Sequence, residues 1–502
     1  MGSVSSPTIR MLDPDVVVVG AGIAGLTAAA LLVRSGARVQ VLEGHTVPGG
    51  CASFYQRAGY RFDVGATLVS GFGPRGVHRR LFELLGVDCP AEPVEPAMVV
   101  RLPDETVVRF GDGRWETERQ RAFGAQAEPF WREQERIADL AWDFSTRFPM
   151  LPAGVDGIRA LAQAFRLRHA PLAFTLGRTV DSIMPPGEHR RLRAFIDAQL
   201  LITAQADAAS TDLAYGSTAL DIAREGTFHL PDGVSGIAIA LARSIRRGGG
   251  EIAYGTPVVE IVREAGTVSG VRLGDGSIVR ARATVAAIPV QNVRLLLGVE
   301  HDRVGTLDRV PALSQRWGAF MAYVGVPAGV VPDDCPLHHQ LLADYDRPLG
   351  EGNTTFFSFS APHEERRARR GGRAITISTH TDVAAWERAR ADGSYAQRKA
   401  TYANALRSAL ERVVPGAWER AETIEFATPA TFERYTGRLR GLVGGTPQVP
   451  ATANLNALSH ASGIAGLVLA GDTVFPGQST VGASLSGVAA ARAIAPIDLG
   501  AN

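Results

Sequence analysis

Between residues 16 and 43 the hydrophobic pattern changes period twice. Val16–Val19 is an unbroken β-branched run, the pattern of a strand buried on both faces of a parallel sheet. It runs into Gly20-Ala21-Gly22-Ile23-Ala24-Gly25 and then into a helix-forming stretch, Leu26–Arg34, which Gly36 ends. The stretch "ARVQVLE" predicts a second strand closing on Glu43. The apolar run 16–33 imitates a membrane span or a signal peptide. It falls at the short end of the roughly 17–25 residues a span requires, and glycines break its first half. A strand, a glycine turn and a buried helix account for it better, and no other segment is a candidate span.

Later stretches repeat these periods. Residues 255–290 read as successive short strands with a turn at Asp275-Gly276, ending in an apolar strand stopped by Pro289. Residues 466–495 read as a buried strand, then Gly471-Asp472, a glycine-rich loop, and a helix beginning near Gly482-Ala483-Ser484. Residues 76–214 are mostly helical in pattern, with Phe130, Ile137, Leu140 and Phe144 on one period. Residues 300–420 mix the strand-like "RWGAFMAYVGV", "TTFFSFS" and "RAITIST" with a helix over "SYAQRKATYANALRSALERVV". The predicted fold is α/β: a discontinuous Rossmann-like domain from 1–75, 215–299 and 421–502, with an inserted α+β domain from 76–214 and 300–420.

Composition removes several classes of function. A formal net charge of +1 over 502 residues gives no general attraction to nucleic acid. Cys51, Cys89 and Cys335, the only cysteines, are too few and too scattered for a disulfide framework or a zinc site. That usage suits a reducing cytoplasm. No GxSxG elbow, HExxH or spaced Cys/His cluster occurs, so no metal is expected. His338 and His339 are adjacent, and on a strand they face opposite sides.

The glycine turn carries the chemistry. Gly20, Gly22 and Gly25, with Ile23 and Ala24 between them, make the tight turn and let backbone and helix approach a pyrophosphate, and the N-terminus of the following helix supplies free N–H groups for its charge. Glu43, 23 positions after Gly20, can accept hydrogen bonds from ribose hydroxyls. Gly49-Gly50, followed by Cys51-Ala52, is an extension used by FAD proteins alongside the phosphates. The strand around Val258-Val259 is placed to pair with adenine. Gly471-Asp472 can meet ribityl hydroxyls, and the helix at Gly482-Ala483-Ser484 can aim N–H groups at the flavin edge. FAD is therefore the expected cofactor. The second match, Gly71-Phe72-Gly73-Pro74-Arg75-Gly76, contains a proline without an N–H and closes no βαβ unit, so no second site for NAD(P) is expected.

These motifs, with "PGGCASF", "GYRFDVGAT" and "FHLPDGVSGIAIAL" (228–241), resemble the phytoene desaturase and carotenoid isomerase superfamily of FAD-dependent oxidoreductases. "HHQLLADYDRPLGEGNTTFFSFS" (338–360) and "TPATFERYTGR" (428–438) are most similar to carotenoid 3,4-desaturases. The resemblance implies C-3',4' desaturation of an acyclic, 1-hydroxylated carotenoid: a hydride moves to flavin N5, and the polyene spreads the resulting cation until a proton leaves. Quinone or dioxygen would then reoxidise the flavin. Candidate proton acceptors are His229, Asp63 and Glu433, or water. A carotenoid cis–trans isomerase using reduced FAD and a retinol-saturase-like reductase are alternatives within the resemblance. An amine oxidase is more distant, since those enzymes write Gly-Gly-Arg where this chain writes Gly49-Gly50-Cys51, and Lys399 is the one lysine. The change to Cys51 removes a cationic phosphate ligand, so neutral backbone contacts are expected to do more.

An apolar substrate held in a bilayer requires the enzyme to reach the membrane. Residues 157–180 mix Ile158, Leu161, Phe165, Leu167, Leu172, Phe174 and Leu176 with Arg159, Arg166, Arg168 and Arg178, without an acid. That composition suits peripheral docking on an anionic surface, here the inner face of the membrane. The arginine run Arg366–Arg373 reads as a solvated loop, and the first dozen residues as loose.

Overall fold

The computed structural model describes residues 14–147, 165–299, 307 and 316–497. Five short parallel strands form one sheet in the order 251–253, 39–42, 16–19, 283–286, 467–469. All of Val16–Val19 is buried, because both faces of this sheet are covered. Val16 and Val18 pack towards helices Ile23–Arg34 and Ser235–Arg247. Val17 and Val19 pack towards the three antiparallel strands 258–264, 267–273 and 278–280. Helices Ile23–Arg34 and Ser479–Arg492 approach closely: a Cβ on Gly487 would stand 2.4 Å from the Ala24 carbonyl oxygen. The edge strand Glu251–Ala253 has no alternation long enough to announce it and follows from its pairing with 39–42.

A second sheet of seven strands runs in the order 423–427, 317–326, 373–382, 354–359, 338–342, 98–101, 106–109. Alternation along Trp317–Val326 sends Phe320, Ala322 and Val324 into a core with helix Tyr395–Val413, where Phe320 stacks on Trp386. Ala319, Met321 and Tyr323 face the other way, into a large cavity. Trp115, Phe123, Phe130, Trp131 and Phe195 form the core of the neighbouring helices. His338 and His339 are both buried and part company as alternation requires. His338 meets Ser358, and His339 meets Arg101 and Cys335.

Some expectations need correction. Strand Thr423–Ala427 lies in the stretch expected to serve the nucleotide domain, yet it pairs with Trp317–Val326 of the second sheet. The run Arg366–Arg373 is not wholly solvated, since Arg367 and Arg373 are buried and Arg367 pairs with Asp63 at 2.9 Å. Residues 71–76 form a loop before helix Val77–Leu85, as read. The loose N-terminal dozen and Ile158, Arg159 and Leu161 of the docking segment lie outside the described residues.

Candidate active site

The C-terminal ends of the five parallel strands open on a single cavity of about 1660 Å³. That exceeds the roughly 300–1,000 Å³ of a pocket for one small ligand. One end is built from glycine turns. Gly20 sits at φ +97°, and a Cβ there would lie 2.9 Å from the Ala287 carbonyl oxygen, so only glycine fits. Gly22, beside Ile23 and Ala24 on the cavity wall, leaves open space where a Cβ would stand. Gly49 bridges to Gly22, and its N–H donates to the Ala21 carbonyl at 2.8 Å, fusing the two turns into one surface with Gly50, Cys51 and Ala52. Glu43 is held by two backbone donors: Ala21 N–H to Oε2 at 2.7 Å and His45 N–H to Oε1 at 2.8 Å. Its remaining lone pairs face the cavity, where ribose hydroxyls could donate to them.

Val258, Gly471, Asp472, Gly482 and Ala483 also line this end. The last helix begins at Ser479, three residues earlier than read, and Ser479 Oγ accepts from the Gly482 N–H at 3.0 Å. Three expected cofactor residues stand outside the wall. Gly25 lies behind the turn, where a Cβ would strike the Gly20 carbonyl at 2.1 Å. Ser484 is buried between helices and bonds His78 Nε2 at 3.1 Å. Val259 points to solvent, because pleating turns it away from Val258.

None of the three candidate bases reaches the cavity wall. Asp63 is buried, accepts from the Val234 N–H at 3.0 Å and pairs with Arg367. His229 pairs with Glu364 at 2.8 Å. Glu433 is exposed and accepts from the Arg440 N–H at 2.9 Å. Each carboxylate or imidazole is committed to holding its own neighbourhood together.

Arg438 was missed from sequence. It is buried on the wall beside Cys51, its Nε donating to the Leu442 carbonyl at 2.6 Å and its Nη1 pairing with Asp472 Oδ2 at 3.0 Å. Nη2 is buried without a hydrogen-bond partner. Burial pushes the Cys51 thiol up, against the pull of this guanidinium. A cation thus stands behind the turn where neutral backbone contacts were expected to do more of the work. The only signal for it was the left-handed Gly437 (φ +67°), which ends helix Pro429–Thr436 and turns the chain back.

Beyond the glycine turns the wall becomes apolar, with Met321, Tyr323, Phe356, Trp142 and Leu220. It reaches a 3-10 segment, Leu167–Thr175, where Leu172 and the adjoining Phe165 and Leu176 line the cavity. On the same segment Leu167 is 91% exposed and Phe174 77% exposed. Among the described residues no His/Cys/Asp/Glu group could hold a metal, and no helix is long and apolar enough to cross a membrane.

A dinucleotide fits the glycine end: the Gly22 cradle is open, Glu43 is preset for a ribose, and a buried guanidinium nitrogen lacks a partner. Joined to a parallel sheet and continued by an apolar stretch of the same cavity, this arrangement defines an FAD-dependent oxidoreductase. The chain belongs to the flavin containing amine oxidoreductase family, whose pattern matches residues 23–495. It is 28% identical to the chloroplastic prolycopene isomerase of Daucus carota, over 98% of this chain and 81% of that one. It is 27% identical to hydroxyneurosporene desaturase of Cereibacter sphaeroides, over 97% of this chain and 98% of that one. The neurosporene-forming phytoene desaturase of the same organism is 26% identical, over 93% and 91%. Among solved structures, an oxidoreductase from Methanosarcina mazei aligns with TM-score 0.61 at 16% identity, covering 94% of this chain and 98% of that one. Putrescine oxidase bound to putrescine aligns with TM-score 0.59 at 16% identity, covering 96% and 99%.

Proposed function

We propose that this protein is a carotenoid desaturase, and specifically that it introduces the C-3',4' double bond of an acyclic, 1-hydroxylated carotenoid. The observation that carries the reading is the cavity's shape and lining: one chamber runs from the dinucleotide turns to an exposed apolar mouth. A polyene is long, apolar and without charge to grip, so the wall must hold it by fit. Bound FAD would supply the hydride acceptor. The chain's own part is to exclude water with Met321, Tyr323 and Phe356 and to lay one saturated bond along that end. With His229, Asp63 and Glu433 committed elsewhere, the proton passes to water or a weak acceptor. The missing lysine disfavours amine oxidation: Lys399 lies outside the cavity, over Phe426.

The glycine-turn region then serves FAD, and the seven-stranded sheet with its helices serves the substrate. The mouth docks on the inner face of the membrane from the cytoplasm. Leu167 and Phe174 would enter the lipid boundary while Arg166 and Arg178 meet anionic headgroups. Reoxidation by quinone or dioxygen follows from that location. A second reading, a cis–trans isomerase needing reduced FAD, is favoured by the similarity to prolycopene isomerases over nearly the whole chain. The deciding experiment is expression in cells that accumulate an acyclic hydroxylated carotenoid, recording pigment mass and absorption. A loss of two mass units with a red shift supports the desaturase. Unchanged mass with a new isomer profile moves the assignment to the isomerase, and unchanged pigment removes both.

A further inference from the structure

Three polar side chains meet on the wall of the chamber. Gln205, His380 and Gln478 all line the cavity. Gln205 closes helix Arg190–Ala204 in the left-handed region, and its Nε2 lies 3.1 Å from His380 Nε2. Gln478 directly precedes the last helix, and its Nε2 donates to the Ile202 carbonyl at 3.2 Å. Its Oε1 is buried with no partner. Gly444 passes between the two amides: a Cβ there would stand 2.2 Å from Gln205 Nε2 and 2.9 Å from Gln478 Oε1. The three side chains therefore share one small area.

Their hydrogen-bonding capacity is not used up by the protein. With His380 Nε2 accepting from the Gln205 amide, the ring proton sits on Nδ1, and no described residue accepts it. Burial lowers the His380 pKa to about 4, so the ring is neutral at ordinary pH. A buried amide oxygen without a partner is costly unless a water or a ligand completes it. The patch thus presents His380 Nδ1–H as a donor and the unpartnered Gln478 Oε1 as an acceptor.

We propose that Gln205, His380 and Gln478 seat a single hydroxyl group at one end of the polyene substrate. A hydroxyl answers both needs, accepting from His380 Nδ1–H and donating to Gln478 Oε1; a keto oxygen or a bare hydrocarbon end answers one or neither. Gln205 fixes the tautomer that makes His380 the donor. The patch adjoins the loop entering the last helix rather than the apolar mouth, so the hydroxylated end travels innermost and its neighbouring bonds lie at the nucleotide end. This rests on the polyene reading above and adds the feature by which that substrate is chosen.

The test compares an acyclic carotene with its 1-hydroxy derivative, each in phosphatidylcholine vesicles, using the FAD-loaded enzyme. The hydroxylated substrate is expected to lead in kcat/KM by about 10- to 100-fold, because a site built to bond a hydroxyl rejects the analogue lacking it. In Gln478→Leu and His380→Leu that ratio falls towards about one. Because His380 packs edge-on against Trp317 at 5.9 Å and its loss could disturb folding, Gln478→Met is the companion variant, with flavin absorbance per protein as the folding check. A second readout is the pigment that purified protein extracts from vesicles holding both compounds, which should be enriched in the hydroxylated one. A wild-type ratio near one, or a ratio unchanged in folded variants, overturns the proposal while leaving the polyene reading intact. Turnover and extraction of neither compound would remove that reading, and the hydroxyl seat with it.

Discussion

The two ends of the cavity are made by opposite means. At the nucleotide end backbone does the work: Gly20, Gly22 and Gly49 bring the main chain to the ligand, and Glu43 is clamped by two N–H groups. At the substrate end side chains do it, drawn from the seven-stranded sheet and from helices distant in sequence. A backbone site tolerates almost no change where it is tight, whereas a side-chain wall can be altered piece by piece. The first should fail abruptly and the second by degrees.

The sharpest break is expected at Gly20→Val. The residue would need φ near +97° and would press into the Ala287 carbonyl, currently 2.9 Å from the virtual Cβ. A clash of this kind costs about 3 kcal/mol or more, enough to weaken cofactor binding over about 100-fold. The variant should purify colourless, which an absorbance scan across the flavin band reads directly. A yellow Gly20→Val protein would show that the turn can rearrange and that backbone approach is not what holds the dinucleotide.

Arg438→Gln probes the cationic side chain at the backbone end. Its guanidinium neutralises Asp472 and stands behind Cys51. Losing the charged partner of this half-buried carboxylate should weaken FAD binding by about 10- to 100-fold, measured by flavin fluorescence during titration of apoprotein. Arg438→Lys should recover part of that loss. Equal affinity in wild type and Arg438→Gln would place the arginine in the wall merely as packing.

A pH series separates the two ends further. Burial lowers His380 and His339 to about 4 and His338 to about 3, all in the seven-stranded sheet, and His78 to about 4 at the nucleotide end. A depressed histidine pKa means the folded state binds fewer protons than the unfolded chain. Its contribution is present above the unfolded value near 6.5 and is lost as pH falls from there towards 4. Asp197 and Asp221, raised to about 6 by burial, act in the opposite direction between about 4 and 6, as do the raised Asp63 and Asp212, but the lowered histidines, His460 included, outnumber them. The melting temperature should therefore hold above about pH 7 and drop through pH 6 to 5. A flat profile would mean the sheet's imidazoles reach water.

The same contrast explains what the sequence could disclose. Val16–Val19, the glycine turn and Glu43 are contiguous, and each residue's type follows from a local demand on dihedral angle, charge or burial. The nucleotide end was legible for that reason, apart from Gly25, Val259 and Ser484. In these three the motif gave position along the chain but not which way the pleat or helix turned. Arg438 and the trio Gln205, His380 and Gln478 are assembled from segments far apart, so no spacing could announce them. His229, Asp63 and Glu433 looked reactive because a charged residue near a motif has no visible partner in one dimension. Arg367, Glu364 and the Arg440 N–H supply those partners in three.

The smallest expected effect lies at the mouth, where the substrate-end logic is most dilute. Leu167 and Phe174 are large apolar side chains left mostly exposed, and Arg166 and Arg178 flank them without an acid in residues 165–180. Fully burying such a side chain yields about 1.5–3 kcal/mol, but partial entry into a headgroup boundary yields less. Leu167→Gln or Phe174→Gln should accordingly lower binding to anionic vesicles only by about 3- to 10-fold each, in a flotation assay, and the double variant by roughly the product. Flavin content should not follow, because both side chains are exposed to solvent and neither lines the cavity. If vesicle binding stayed constant while flavin was lost, the mouth would belong to the nucleotide end after all, and the division of labour argued here would fall.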